Sequence, residues 1–168
     1  MKKILVVEDE QMLAKIIGMK LGEEDFEVEH AYDGQQAFDA LSKADLPDLV
    51  LMDVLLPKMS GFDVLERLQK DGKKLPKVIM FSNFAQKADV EKAHSLGALD
   101  YIVKAAFSPA EILSKIKQVL SGAASGDSDS GTGTSSGEDA NPYETFSSMD
   151  EVKPMSEVLR PGESNNDY

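Results

Sequence analysis

Residues 1–120 repeat one pattern five times: a short apolar run, a turn signal, then apolar positions at helical spacing. That alternation constrains the fold more than any other feature of the chain. A short run without a polar face reads as a strand covered on both sides. KILVV (3–7) and DLVLMDV (48–54) have that character, whereas FEVEHA (26–31) alternates as a strand nearer a sheet edge would. KVIMFS (77–82), introduced by Pro76, and LDYIV (99–103) complete the set. Helices are predicted between them. Residues 10–22 place Leu13, Ile16, Ile17 and Leu21 on a helical repeat, with Gly22 as the stop. Asp33-Gly34 turns into a helix bearing Ala37, Phe38 and Leu41, and Ser60-Gly61 into one bearing Phe62, Val64, Leu65 and Leu68. A helix over Ala85–Leu96 closes at Gly97. Ser108-Pro109 supplies an N-cap and a first-turn proline for a last helix with Ile112, Leu113, Ile116, Val119 and Leu120. Five strand–helix repeats predict an α/β fold, a right-handed, doubly wound, five-stranded parallel sheet with five helices on its two faces. Met12, Met19 and Met80 are expected to fill its core.

Sheets of this kind bind ligands beyond the carboxyl ends of their strands. The polar residues gather there. Strand one ends at Glu8-Asp9, strand three at Asp53, strand four at Ser82, and strand five just before Lys104. As an isolated pair, Glu8-Asp9 would equally well cap the first helix. Three carboxylates drawn to one edge repel one another unless a hard cation lies between them, and Mg²⁺ suits an all-oxygen site. Other site chemistries are excluded by composition. There is no Cys, which removes disulfides, thiolate metal sites and a thiol nucleophile. His30 and His94 are too few for a histidine cage and read as surface or turn residues.

The runs ILVVEDE, DLVLMDVLLPKMSGFDVL, VIMFS and GALDYIVK resemble, in order and spacing, the receiver domain of bacterial response regulators, over residues 2–120. The resemblance implies a flavodoxin-like strand order, 2-1-3-4-5. It also implies that Asp53 is the phosphoacceptor, taking its phosphoryl group from a sensor histidine kinase or phosphotransfer protein. Asp9 and Asp53 would bind Mg²⁺ directly, joined by the backbone carbonyl of Leu55, with Glu8 acting mainly through water. Lys104 would pair with the phosphoryl oxygens and Ser82 would donate a hydrogen bond to them. Tyr101, three residues before Lys104, matches the aromatic switch position: Ser82 is drawn inward on phosphorylation and Tyr101 rotates into the space it leaves. The helix four, strand five and helix five surface would then change to control a downstream protein. On this reading the chain is a phosphoacceptor switch, not an enzyme, existing as a monomer or a phosphorylation-dependent dimer.

Three departures from the commonest family pattern stand out. Lys104 is followed by Ala105 in place of a proline that is often cis, and a cis bond before alanine costs about 3 kcal/mol. Asn83 stands where Ala or Gly is usual and narrows access to the phosphoryl group. Leu55 and Phe84, two residues beyond Asp53 and Ser82, are both apolar, at positions that influence attack by water in the family. Two other classes compete with the switch. A phosphatase built on Asp53 would call for an acid at position 55, and a flavin-binding protein would call for a Ser/Thr/Gly-rich loop where EDEQMLAK stands.

The net charge of −12 is unevenly placed: residues 121–168 carry ten acids against Lys153 and Arg160. The expected division is a receiver domain over 1–121 and a flexible, acidic, Ser/Gly-rich tail over 122–168, with a candidate interaction motif at 143–160. The acidic balance, together with the lack of a helix-turn-helix after the last predicted helix, leads to the expectation of no direct DNA binding. No apolar run approaches the roughly 18–20 residues of a membrane span, and MKKILVVEDE lacks the apolar length of a signal peptide. The cytoplasm is the expected compartment.

Overall fold

A computed structural model describes residues 1–122. The expected tail over 122–168 and its motif at 143–160 lie, Gly122 apart, outside the described residues. The elements follow one another as β1 (Lys2–Val7), α1 (Gln11–Gly22), β2 (Phe26–Ala31), α2 (Gly34–Leu41), β3 (Leu49–Asp53), α3 (Gly61–Lys70), β4 (Lys77–Ser82), α4 (Lys87–Ser95), β5 (Asp100–Val103) and α5 (Pro109–Ser121). All four strand pairings are parallel, and the sheet order is β2-β1-β3-β4-β5. This is the doubly wound sheet and the order expected. Consecutive residues of a strand point to opposite faces, so the apolar central strands need cover on both. On one face Leu5, Val7, Val50, Met52, Val78 and Met80 pack against α2, α3 and α4. On the other, Ile4, Val6, Leu49, Leu51, Ile79 and Phe81 pack against α1 and α5.

Two glycines let helices approach the loops beside the strand ends. A Cβ on Gly61 would lie 2.2 Å from the Asp53 carbonyl oxygen, and one on Gly34 only 1.9 Å from the Met59 carbonyl oxygen. No side chain fits at either position. Ser60 and Asp63 form a reciprocal capping box at the start of α3, and Ser108 and Glu111 form another at the start of α5. The far end of α5 is held differently. Lys77 Nζ, from the start of β4, donates to the carbonyls of Val119 (2.8 Å) and Leu120 (3.2 Å), placing a cation on the free acceptors of the helix end.

Several local expectations differ from the structure. Met12, Ile16 and Met19 are exposed on α1, and the helix turns Ala14, Ile17 and Leu21 inward instead. A helix with two apolar stripes can bury only one, and the stripe with the smaller residue lets α1 sit close to the sheet. Met80, by contrast, is fully buried. Gly22 is the last residue of α1 and has no left-handed φ; the reversal falls on Asp25, at φ 60°. Neither Glu8 nor Asp9 caps α1, whose N-cap is Glu10. The α4 helix begins at Lys87, because residues 84–86 belong to the loop after β4. Position 97 closes it as expected, with Gly97 at φ 89°. His30 lies within edge strand β2, over Gly18 of α1, and is not a turn residue. The described residues contain no cis peptide bond, so Lys104–Ala105 is trans and opens a short 3₁₀ turn over Lys104–Ala106.

Candidate functional site

Parallel register brings the carboxyl ends of β1, β3, β4 and β5 to one edge, and the polar residues singled out in the sequence meet there. Glu8 follows β1, Asp53 ends β3, Ser82 ends β4, and Lys104 follows β5. Glu8 is 0% exposed and Asp53 4%, while Asp9 faces solvent. Carboxylate oxygens of Glu8, Asp9 and Asp53 lie within 4.8 Å of one another. Lys104 Nζ sits between the two buried acids, 2.5 Å from Glu8 Oε2 and 2.6 Å from Asp53 Oδ2. The remaining oxygens are held by backbone amides: Leu55 N donates to Asp53 Oδ1 (3.0 Å), and Glu10 N donates to Glu8 Oε1 (3.2 Å).

Burial and charge act in opposite directions in this cluster. Burial pushes the Glu8 and Asp53 carboxyls above their ordinary range, and Lys104 offsets only part of that rise. For Lys104, burial acts to lower the ammonium pKa, but the two carboxylates outweigh it and hold the group above its usual value. In formal charge the described site holds two buried carboxylates and one buried ammonium, with the exposed Asp9 beside them. It is one positive charge short of neutral before Asp9 is counted. An all-oxygen donor set with this deficit fits a hard divalent cation.

The loops around the cluster complete the site. Ser82 is buried, and its Oγ accepts a 3.3 Å hydrogen bond from Phe84 N. Asn83 is exposed, and Leu55 (61%) and Phe84 (68%) stand out into solvent from the loops after β3 and β4. Tyr101 is 1% exposed, and its hydroxyl donates to the Phe84 carbonyl at 2.8 Å. In this state Tyr101 is already inside, and the Phe84 carbonyl accepts the hydrogen bond that a buried phenol needs.

The sequence reading missed two contacts. One is the Glu8–Lys104 ion pair. The other joins α2 to the loop after β3: Lys58 Nζ lies 2.7 Å from Oδ2 of the buried Asp33. Lys58 also has φ 67° and lies between Pro57 O and Met59 N, which are hydrogen-bonded at 2.8 Å. That is the rarer, strained form of γ-turn, and a left-handed backbone costs a side-chain-bearing residue about 1–2 kcal/mol. The sequence signal was the N-cap pattern Asp33-Gly34, which reports the helix start and nothing about a partner 25 residues away.

Comparison with known proteins identifies the family. The model of the response regulator receiver domain matches residues 4–117. The chain belongs to the response regulator receiver domain family. Members of this family are the phosphoacceptor switches of two-component systems, not enzymes of the ordinary kind, and they generally bind Mg²⁺ at an acidic pocket. A probable transcriptional regulator, ycf27, of Guillardia theta is 36% identical over 119 residues, 71% of this chain and 45% of that protein. The alkaline phosphatase synthesis transcriptional regulatory protein PhoP of Bacillus subtilis is 34% identical, over 71% of this chain and 48% of its own. Among solved structures, a CheY-like response regulator receiver domain protein from Methanospirillum hungatei superposes with a TM-score of 0.65 at 30% identity. That match covers 73% of this chain and 95% of the other.

These relatives overturn one expectation. The exclusion of direct DNA binding does not stand, because the receiver's curated relatives are named as transcriptional regulators and the chain spans about half of their length. The physical error lay in the charge argument. The balance of −12 is a sum over residues 1–168, most of it from residues 121–168, and it carries no information about how the unmatched half of such a regulator works. Among the described residues, no helix is long and apolar enough to cross a membrane.

Proposed function

We propose that this receiver, over 1–121, accepts a phosphoryl group from a sensor histidine kinase onto Asp53 and passes the change to the α4–β5–α5 surface. The observation that carries this reading is the buried Glu8–Lys104–Asp53 cluster at the carboxyl edge of the sheet. A carboxylate oxygen of Asp53 attacks phosphorus, forming a P–O bond as the donor's P–N bond breaks and its electron pair stays on the imidazole. The product is an acyl phosphate. Bound Mg²⁺, held by Glu8, Asp9, Asp53 and the Leu55 carbonyl, would supply positive charge for the phosphoryl oxygens. Lys104 supplies the second positive charge from within the chain, turning from the carboxylates towards the new group, and Ser82 donates a directional hydrogen bond. The Leu55 amide keeps one Asp53 oxygen aligned throughout.

The signal leaves through Ser82. Its movement towards the phosphoryl group draws on Phe84 N, and Phe84 O is the acceptor of the Tyr101 hydroxyl. Loop and ring therefore move as one unit, and the switch is a shift between two arrangements of that unit. Through it α4, β5 and α5 present an altered face to a protein partner. The relatives' names point to transcription as the process served, and the cytoplasm is the fitting compartment.

The deciding experiment is incubation of the full chain with acetyl phosphate and Mg²⁺. Mass spectrometry is expected to show one labile phosphoryl group on the wild type and none on Asp53→Asn. Rapid multiple turnover would indicate a hydrolase instead. The apolar pair Leu55 and Phe84 supports a further expectation, a long-lived phosphoform, because neither side chain can orient an attacking water. Asn83 beside them crowds the approach. A carboxylate introduced by Phe84→Glu is expected to speed loss of phosphate by about tenfold, below the full effect of a general base in contact. Equal rates in the two proteins would remove this role for position 84.

A further inference from the structure

The loop after β3 carries the amide that holds Asp53, and it is braced from two sides. Its ends are tied to the sheet and to α3, by Val54 N on Phe81 O (3.2 Å) and Gly61 N on Val54 O (2.9 Å). Its middle is tied to α2. Gly34 N donates to Pro57 O (3.1 Å), the missing side chain of Gly34 admits the Met59 carbonyl, and Lys58 Nζ reaches Asp33 Oδ2 at 2.7 Å. Asp33 is prepared for this contact. Its Oδ1 accepts from Gln36 N (2.8 Å) as the N-cap of α2, and its Oδ2 accepts from both Gln36 Nε2 and Lys58.

Lys58 bears the strain at the same point. A lysine held with left-handed φ at the centre of a γ-turn persists only where its surroundings impose it, and such residues cluster at functional sites. We propose that Asp33 and Lys58 form a positioning pair for phosphoryl transfer. From α2 they clamp the loop whose Leu55 amide fixes Asp53. The inference rests on the functional reading above for its purpose, though the clamp itself is geometric. The Lys58 ammonium beside Asp33 also holds that carboxyl below the usual aspartate range, so Asp33 stays ionised at neutral pH.

The test uses the full chain with Lys58→Met, with Asp33→Asn (which retains an N-cap acceptor), with both, and with Lys58→Arg. Two readouts are followed: hydrogen exchange of the Leu55 amide in the unphosphorylated protein, and Mg²⁺ affinity by titration calorimetry. Each single variant is expected to accelerate Leu55 exchange and to weaken Mg²⁺ binding by about tenfold, the low end for residues that orient metal ligands. The double variant is expected to be no worse than either single one, and Lys58→Arg to restore most of the loss. A pair that merely stabilises the fold would lower the urea midpoint and leave both readouts of the folded protein unchanged, and that result overturns the proposal. Additive losses in the double variant overturn it as well. If the wild type takes no phosphoryl group from acetyl phosphate, the functional reading fails, while Leu55 exchange still decides the clamp.

Discussion

Gly61→Ala is expected to cost about 3 kcal/mol of stability, the upper part of the range for forcing atoms into a packed interior. The new methyl carbon would lie 2.2 Å from the Asp53 carbonyl oxygen and 3.1 Å from Met52 Cγ. Met52 has rotamers to spare, but the Asp53 carbonyl is backbone at the end of the central strand and has none. Relief requires α3 to back away from the sheet, which breaks the bond from Gly61 N to Val54 O and loosens the phosphoacceptor's own strand end. Urea unfolding followed by circular dichroism should show a lower midpoint with little change in slope. Gly22→Ala is the companion measurement. Nothing lies within 4 Å of a Cβ there and its φ is not left-handed, so the variant should gain up to about 1 kcal/mol from helix propensity. Equal midpoints for Gly61→Ala and the wild type would mean that the close approach to Asp53 is absent in solution.

Lys104→Met is expected to destabilise the metal-free protein by about 3–5 kcal/mol at pH 7.5, as removing one partner from a buried ion pair does. Glu8 and Asp53 would then face each other with no cation between them. Their response to pH follows from the direction of their shifts. Burial already raises both carboxyls above their unfolded values, and loss of the ammonium raises them further. A carboxyl raised by folding takes up a proton between its unfolded and folded pKa values, so stability falls as pH climbs through that window. The deficit of Lys104→Met should therefore shrink at pH 5, and Mg²⁺ should shrink it at pH 7.5 by replacing the lost charge. Thermal unfolding at the two pH values, with and without Mg²⁺, checks both statements. A deficit that is the same under all four conditions would show that Lys104 acts by packing and not by charge.

The sheet and its site were legible in the sequence for a common reason. Strands buried on both faces must be apolar along their whole length, so β1, β3 and β4 announce themselves, and the first polar residue after each marks the ligand-binding edge. Information was lost where one pattern permits two arrangements. On α1, Met12, Ile16 and Met19 are as apolar as Ala14, Ile17 and Leu21, and spacing alone does not say which stripe meets the sheet. The position of Tyr101 depends on a side-chain rotation, and the Lys104 contact with Glu8 on several, none of which periodicity records. The Asp33–Lys58 pair joins segments whose individual signals, a helix start and a turn after Pro57, are each complete without the other. The DNA inference failed for a different reason, since it let the charge balance of residues 1–168 and the segment after the last predicted helix stand for the whole of a regulator.

The grip of Lys77 on the last carbonyls of α5 has a mechanical consequence. A helix of 13 residues is about 20 Å long, and this one is pinned at the end remote from the site while its other end follows directly from the Lys104 turn. The two ends of α5 are thus held by different parts of the molecule: its last carbonyls by a charge at the start of β4, and its first turn by the covalent run from Lys104 at the site.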